Sequence, residues 1–88
     1  MHAKTWNVSI YLSETDDGTE ARAVLHTEDT DYVEGHGRAR HHPRDPQIPE
    51  IGDELAVARA LSDLSHRLFE MTTRDLEDVL HERIFLTR

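Results

Sequence analysis

The chain begins with strict alternation: Trp6, Val8, Ile10 and Leu12 are apolar, and Asn7, Ser9 and Tyr11 stand between them. A period of two is that of a half-buried strand, so this stretch reads as a strand with the first set turned inward. Ser13-Glu-Thr-Asp-Asp-Gly18 is a cluster of turn formers, and its Asp17-Gly18 pair signals a tight hairpin. Thr19 to His26 then reads as a second, antiparallel strand with Ala21, Ala23 and Leu25 on one face. After the acidic turn Thr27-Glu-Asp-Thr-Asp31, a third strand runs from Tyr32 to Arg40. Its Gly35 and Gly37 share a face with Val33 and Ala39, which implies that another element lies close against them. Tyr32, Glu34, His36, Arg38 and Arg40 occupy the other face.

The pattern then changes period. A connection with prolines at Pro43, Pro46 and Pro49 leads to Ile51-Gly-Asp-Glu-Leu55, after which apolar residues recur in steps of three or four. Leu55, Ala58, Leu61, Leu64, Leu68 and Met71 fall on one side of a helix over residues 53–71, and Glu54, Arg59, Asp63, Arg67 and Glu70 face water. Asp53 and Glu54 suit the electropositive start of that helix. Thr72-Thr73 interrupts the pattern and can cap a second short helix carrying Leu76, Val79 and Leu80; the alternative is one helix running through the threonines. Ile84, Phe85 and Leu86 end the chain as a core-closing tail, a short strand or a subunit contact. The expected fold is therefore α+β: a three-stranded antiparallel sheet covered on one face by a long helix, with a short C-terminal helix, all in a single domain over residues 1–88.

Composition narrows the function. With 88 residues and 36% hydrophobic content the core is thin, and a stabilising dimer contact would fit. There is no cysteine, which excludes disulfides and thiolate metal sites. The N-terminus has no apolar leader and no stretch approaches a membrane span, so a cytoplasmic location is expected. Eighteen acidic against ten basic side chains give a net charge of −8, which argues against avid, non-specific nucleic acid binding.

Three motifs resemble a known family: Trp6-x-Val8-x-Ile10, Gly35-x-Gly37-x-Ala39-Arg40, and Pro49-x-Ile51-Gly52-Asp53-Glu54-Leu55 running on to Ala58-Arg59-Ala60-Leu61. That family is a small actinobacterial group of unknown function with a fold like that of double-stranded-RNA-binding domains. The resemblance covers about Lys4 to Val79 and implies a fold; it brings no activity, cofactor or catalytic residue. In RNA-binding members of that fold the phosphate contacts come largely from a lysine-rich helix start. Here Glu50, Asp53 and Glu54 occupy that position, so nucleic acid is not the expected partner.

The candidate interaction residues are His36, Arg38, Arg40, His41, His42 and Arg44, a basic island in an acidic chain. They suit an acidic partner, including the turn Glu28, Asp29, Asp31 of another copy, and the alternative is weak nucleic-acid or phosphate binding through the Arg38–Arg44 island. Equally, charge on an edge strand serves to prevent edge-to-edge aggregation. His36, His41, His42 and Asp45 have no defined metal-ligand spacing, and no nucleophile, phosphate-cradling loop or zinc-protease motif is present. The sequence thus points to an accessory or regulatory module that binds an unidentified protein or itself, through the outer sheet face (Tyr11, Arg22, Val24, Tyr32, Arg38, Arg40) or the Ile84–Leu86 tail. No catalytic, cofactor-binding or metal-binding residue is assigned. Protonating all seven histidines would bring the charge from −8 to −1. Solubility is therefore expected to be lower near pH 5 than at pH 7.5, and equal solubility in a precipitation assay at the two pH values would refute this.

Overall fold

The computed structural model describes residues 2–28, 32–41, 49–81, 83 and 85–86. Strands β1 (Asn7–Thr15), β2 (Gly18–His26) and β3 (Tyr32–Arg40) form an antiparallel sheet in the order β1-β2-β3, followed by one helix, α1 (Pro49–Leu80). The register places Ile10 opposite Ala23 and Ala23 opposite Gly35, so the faces assigned from alternation stand.

The β1–β2 hairpin turns through Asp16-Asp17. Thr15 Oγ1 accepts from the Asp17 N–H and donates to the Gly18 carbonyl, each at 3.3 Å. Gly18 has φ +147°, a backbone shape that side chains disfavour, and an added Cβ would also meet the carbonyl of Ala39. The His41 N–H then donates to the Asp17 carbonyl at 2.8 Å, tying the end of β3 to the hairpin.

The helix is continuous where a second short helix was expected. Thr72 and Thr73 donate their hydroxyls to the carbonyls of Leu68 and Phe69, each at 2.9 Å, so both stay inside the helix instead of capping a new one. The helix ends at His81, whose φ of +56° is a left-handed terminating conformation. Leu86 returns beside His66, Phe69 and Thr73 on the surface of α1 away from the sheet; Ile84 lies outside the described residues.

The buried core is Ala21, Ala23 and Leu25 of β2, Ala39 of β3, and Ala56, Ala60 and Leu64 of α1, with Val33, Val57 and Leu68 packed against it. Small residues dominate because α1 rests almost directly on the β3 backbone. A Cβ at Gly35 would collide with main-chain atoms of Ala60 and Leu64, and one at Gly37 with those of Ala56 and Ala60. The buried stripe of the helix is correspondingly Ala56, Ala60 and Leu64, with Leu68 and Met71 half-buried. Leu55 and Leu61, placed inward by their spacing, are each 42% exposed. Close approach selects alanine at the contact and turns the bulkier leucines aside.

That contact also sets the helix off-centre. It covers β2 and β3 and barely reaches β1. Trp6, Val8, Ile10 and Leu12 lie on the helix side of the sheet as expected, but they are 51%, 43%, 36% and 47% exposed instead of buried. No helix among the described residues is long and apolar enough to cross a membrane.

Leu64→Ala is expected to destabilise the fold by about 2–5 kcal/mol in chemical denaturation, and Leu61→Ala by less than about 1 kcal/mol. Gly35→Ala should lose about 1–3 kcal/mol or more, because the added methyl meets backbone that no rotamer change can move. A Leu61 effect as large as that of Leu64 would contradict the helix orientation.

Candidate functional site

The outer sheet face holds His36, Arg38 and Arg40 of the basic candidates, and carboxylates face two of them. Arg38 pairs with Glu20, and Arg22 pairs with Glu34 at 2.9 Å while its guanidinium stacks 4.6 Å from the Tyr11 ring centre. His36 Nε2 stands 3.7 Å from the same Glu34 carboxylate. Val24 is buried among these side chains although it faces away from the helix. Arg38 and Arg40 line a shallow depression at the hairpin end, and Asp17 and Glu20 line it with them. His36, Arg38 and Arg40 therefore share one face as expected, with His41 just beyond the strand. His42, Arg44, Asp45, Asp29 and Asp31 lie outside the described residues. Among the described residues no three histidine or carboxylate side chains converge on a point.

The two sheet edges differ sharply. On β3, the His36 N–H donates outward to Asp63 Oδ2 at 2.8 Å, and Arg59 Nη1 donates to the Arg38 carbonyl at 2.7 Å. Arg67 Nε holds the same Asp63 oxygen at 3.1 Å. Two helix side chains thus satisfy one N–H and one carbonyl in the middle of an edge that would otherwise stand open. The Asp63 carboxyl is held below its ordinary range, first by the His36 N–H and then by Arg67. Read by spacing alone, Arg59 and Asp63 were surface positions. The signal available in the sequence is their i,i+4 offset beside the alanines that dock on Gly35 and Gly37.

Peptide groups along a strand point alternately to its two sides. Since His36 and Arg38 turn theirs outward, the odd-numbered residues of β3 bond to β2, and the register then bonds the even-numbered residues of β2 to the odd-numbered ones of β1. The outward peptide groups of β1 accordingly belong to Val8, Ile10, Leu12 and Glu14. Among the described residues no side chain bonds them.

Three of these residues, Val8, Ile10 and Leu12, also carry the uncovered apolar side chains. Arg59 and Asp63 line the flank of α1 over β3, so Val57, Leu61 and Leu68, on the opposite flank, look toward β1. The result is an open apolar strip from Trp6 to Leu12 with a free strand edge beside it. It ends at Glu14, whose carboxyl is held above its ordinary range by a hydrogen bond to Asp53, by the charge of Asp53 and by that of Glu50. Thr19 Oγ1 approaches Asp53 at 3.4 Å. The sequence carries a sign of the strip: Thr5 to Ser13 is a run of nine uncharged residues in a chain that is 32% charged.

A three-stranded antiparallel sheet with one long helix across two of its strands defines an α+β class of small protein. The chain belongs to the Rv2632c-like family, whose model matches residues 4–84. It is 47% identical over 77 residues to the uncharacterized protein Mb1767 of Mycobacterium bovis, covering 88% of this chain and 81% of that one. It is 42% identical over 81 residues to the uncharacterized protein Rv2632c of Mycobacterium tuberculosis, covering 92% and 86%. The crystal structure of Rv2632c superposes with a TM-score of 0.83 at 40% identity, over 93% of this chain and 96% of that one. This is the small actinobacterial family that the sequence motifs resemble, and the names of these relatives carry no activity, substrate or partner.

Because the native pKa of Asp63 is lowered, its stabilising contribution is fully present above the unfolded value of about 4 and is lost as pH falls through the native value. Asp63→Asn should therefore cost on the order of 1 kcal/mol at pH 7, with the gap to the parent protein closing in denaturation curves as the pH is lowered progressively below the unfolded value. A gap that persists undiminished in acid would show that the Asp63 charge is not what stabilises the β3 edge.

Proposed function

We propose that this chain is a protein–protein interaction module of the cytoplasm, neither an enzyme nor a nucleic-acid-binding domain, and that its contact is the β1 flank. The observation that carries this reading is the coincidence of an open strand edge and an uncovered apolar strip on the same three residues, Val8, Ile10 and Leu12. An extended segment added at that edge would gain main-chain hydrogen bonds and cover the apolar side chains together. The outer face is less suited, because Glu20 and Glu34 already answer Arg38 and Arg22.

The same pairing disfavours phosphate. A backbone phosphate approaching Arg38 and Arg40 meets Asp17 and Glu20 in the same depression, and one approaching the helix start meets Glu50, Asp53 and Glu54. Among the described residues the depressions are open and shallow, which disfavours holding a reacting group away from water.

Position-specific photo-crosslinking tests the reading. A photoreactive side chain at position 8 or 12, in cells, is expected to yield protein adducts that the same group at position 38 or 40 does not. Nucleic acid adducts, adducts confined to positions 38 and 40, or none at any of the four would overturn it.

A further inference from the structure

We propose that the occupant of the β1 flank is a second copy of this chain, paired antiparallel through β1 about a two-fold axis at Ile10. The inference rests on the interaction-module reading above and gives it a partner and a register.

Four observations select a second copy. First, the strand is self-complementary. Centring the axis on Ile10 sets Val8 opposite the partner's Leu12, and Leu12 opposite the partner's Val8, on the helix side of both sheets. On the other side Ser9 faces the partner's Tyr11 and Asn7 the partner's Ser13, so no charge opposes a like charge. Second, this register brings the outward peptide groups of Val8, Ile10 and Leu12 into hydrogen-bonded pairs at once.

Third, the pairing closes. It uses the open edge of each protomer and leaves a six-stranded sheet in the order β3-β2-β1-β1′-β2′-β3′, bounded at both ends by a β3 edge across whose middle Asp63 and Arg59 reach to hold the His36 N–H and the Arg38 carbonyl. A molecule whose edges were both open would polymerise; one closed and one open edge define a dimer. Fourth, α1 leaves room. It lies over β2 and β3, so two copies would hold their helices roughly 19 Å apart across the paired β1 strands. A helix with its side chains is about 10–12 Å wide, so the gap is one that Val8, Ile10, Leu12 and Leu61 of both copies can fill.

Sedimentation equilibrium on the purified chain from about 1 to 200 µM is the first test, with a mass twice 10.2 kDa expected at the upper end. Each copy carries a charge of −8, so the association should tighten as salt is raised, opposite to phosphate binding. Ile10→Pro removes an N–H that is unused within the protomer, and proline is tolerated at such edge positions. It should weaken the dimer at least tenfold with the far-ultraviolet circular dichroism unchanged. Leu12→Lys should do the same through its exposed side chain if the proline variant does not fold. Phe85→Ser, in the C-terminal tail, should leave the dimer intact.

The register has its own readout, since the chain has no cysteine. Ile10→Cys should give a disulfide-linked dimer on mild oxidation, because a hydrogen-bonded antiparallel pair sets Cα atoms about 5.5 Å apart, within disulfide reach. Tyr11→Cys, opposite the partner's Ser9, should remain uncrosslinked. A monomer at 200 µM, a dimer indifferent to Ile10→Pro and Leu12→Lys, or one lost with Phe85→Ser would overturn the proposal. If crosslinks from positions 8 and 12 capture a different protein while the chain sediments as a monomer, the interaction-module reading survives and the second-copy inference fails.

Discussion

The contact between the α1 backbone and the β3 backbone governs the rest of the molecule. Gly35 and Gly37 have nothing that would hold the helix away, and Ala56 and Ala60 bring only methyl groups to meet them. The interface is made by proximity and not by large side chains; none is fully buried among the described residues. Dispersion over many close main-chain atoms replaces the transfer energy that a leucine-rich interface would supply. The register of that contact admits little adjustment, because any side chain larger than hydrogen at Gly35 or Gly37 would lift the helix.

Placing the helix against β3 decides both edges. It brings Asp63 and Arg59 within reach of the outward peptide groups of His36 and Arg38, and it leaves β1 with no cover. Had the helix crossed the middle of the sheet, β1 would have been buried and β3 left open. One close contact therefore produces a guarded edge and an unguarded one, and the apolar strip at the unguarded edge follows from the same geometry.

Much of this was legible in the sequence. Alternation in Trp6–Leu12 and Ala21–Leu25 located the strands and their faces, Asp17-Gly18 located the hairpin, and Gly35 with Gly37 announced the close helix. The helix rotation was not legible, because both Leu55–Leu61 and Ala56–Ala60 recur at helical spacing. Counting hydrophobicity favours the leucines, whereas the space above two glycines admits only the alanines. The exposure of Val8, Ile10 and Leu12 was hidden for a related reason: alternation tells which face a residue occupies, not whether anything covers that face. The basic island was visible as composition, but the carboxylates that answer Arg22 and Arg38 come from neighbouring strands, and only register brings them together. Thr72-Thr73 read as a break because threonine favours caps, yet back-bonding to Leu68 and Phe69 keeps both inside the helix.

The unbroken helix has a consequence for how the molecule opens. Thirty-two residues span about 48 Å, against about 30 Å for nine-residue strands, so the last turns run beyond the sheet. There Val79 and Leu80 lie exposed, with no strand beneath them. The helix is continuous in hydrogen bonding but not in protection. Its turns from Ala56 to Leu64, buried against the sheet, can exchange their amide protons only when the sheet contact itself opens, whereas its last turns can fray alone. One element thus belongs to two cooperative units, and the border between them falls near Met71, where the sheet ends and the helix does not.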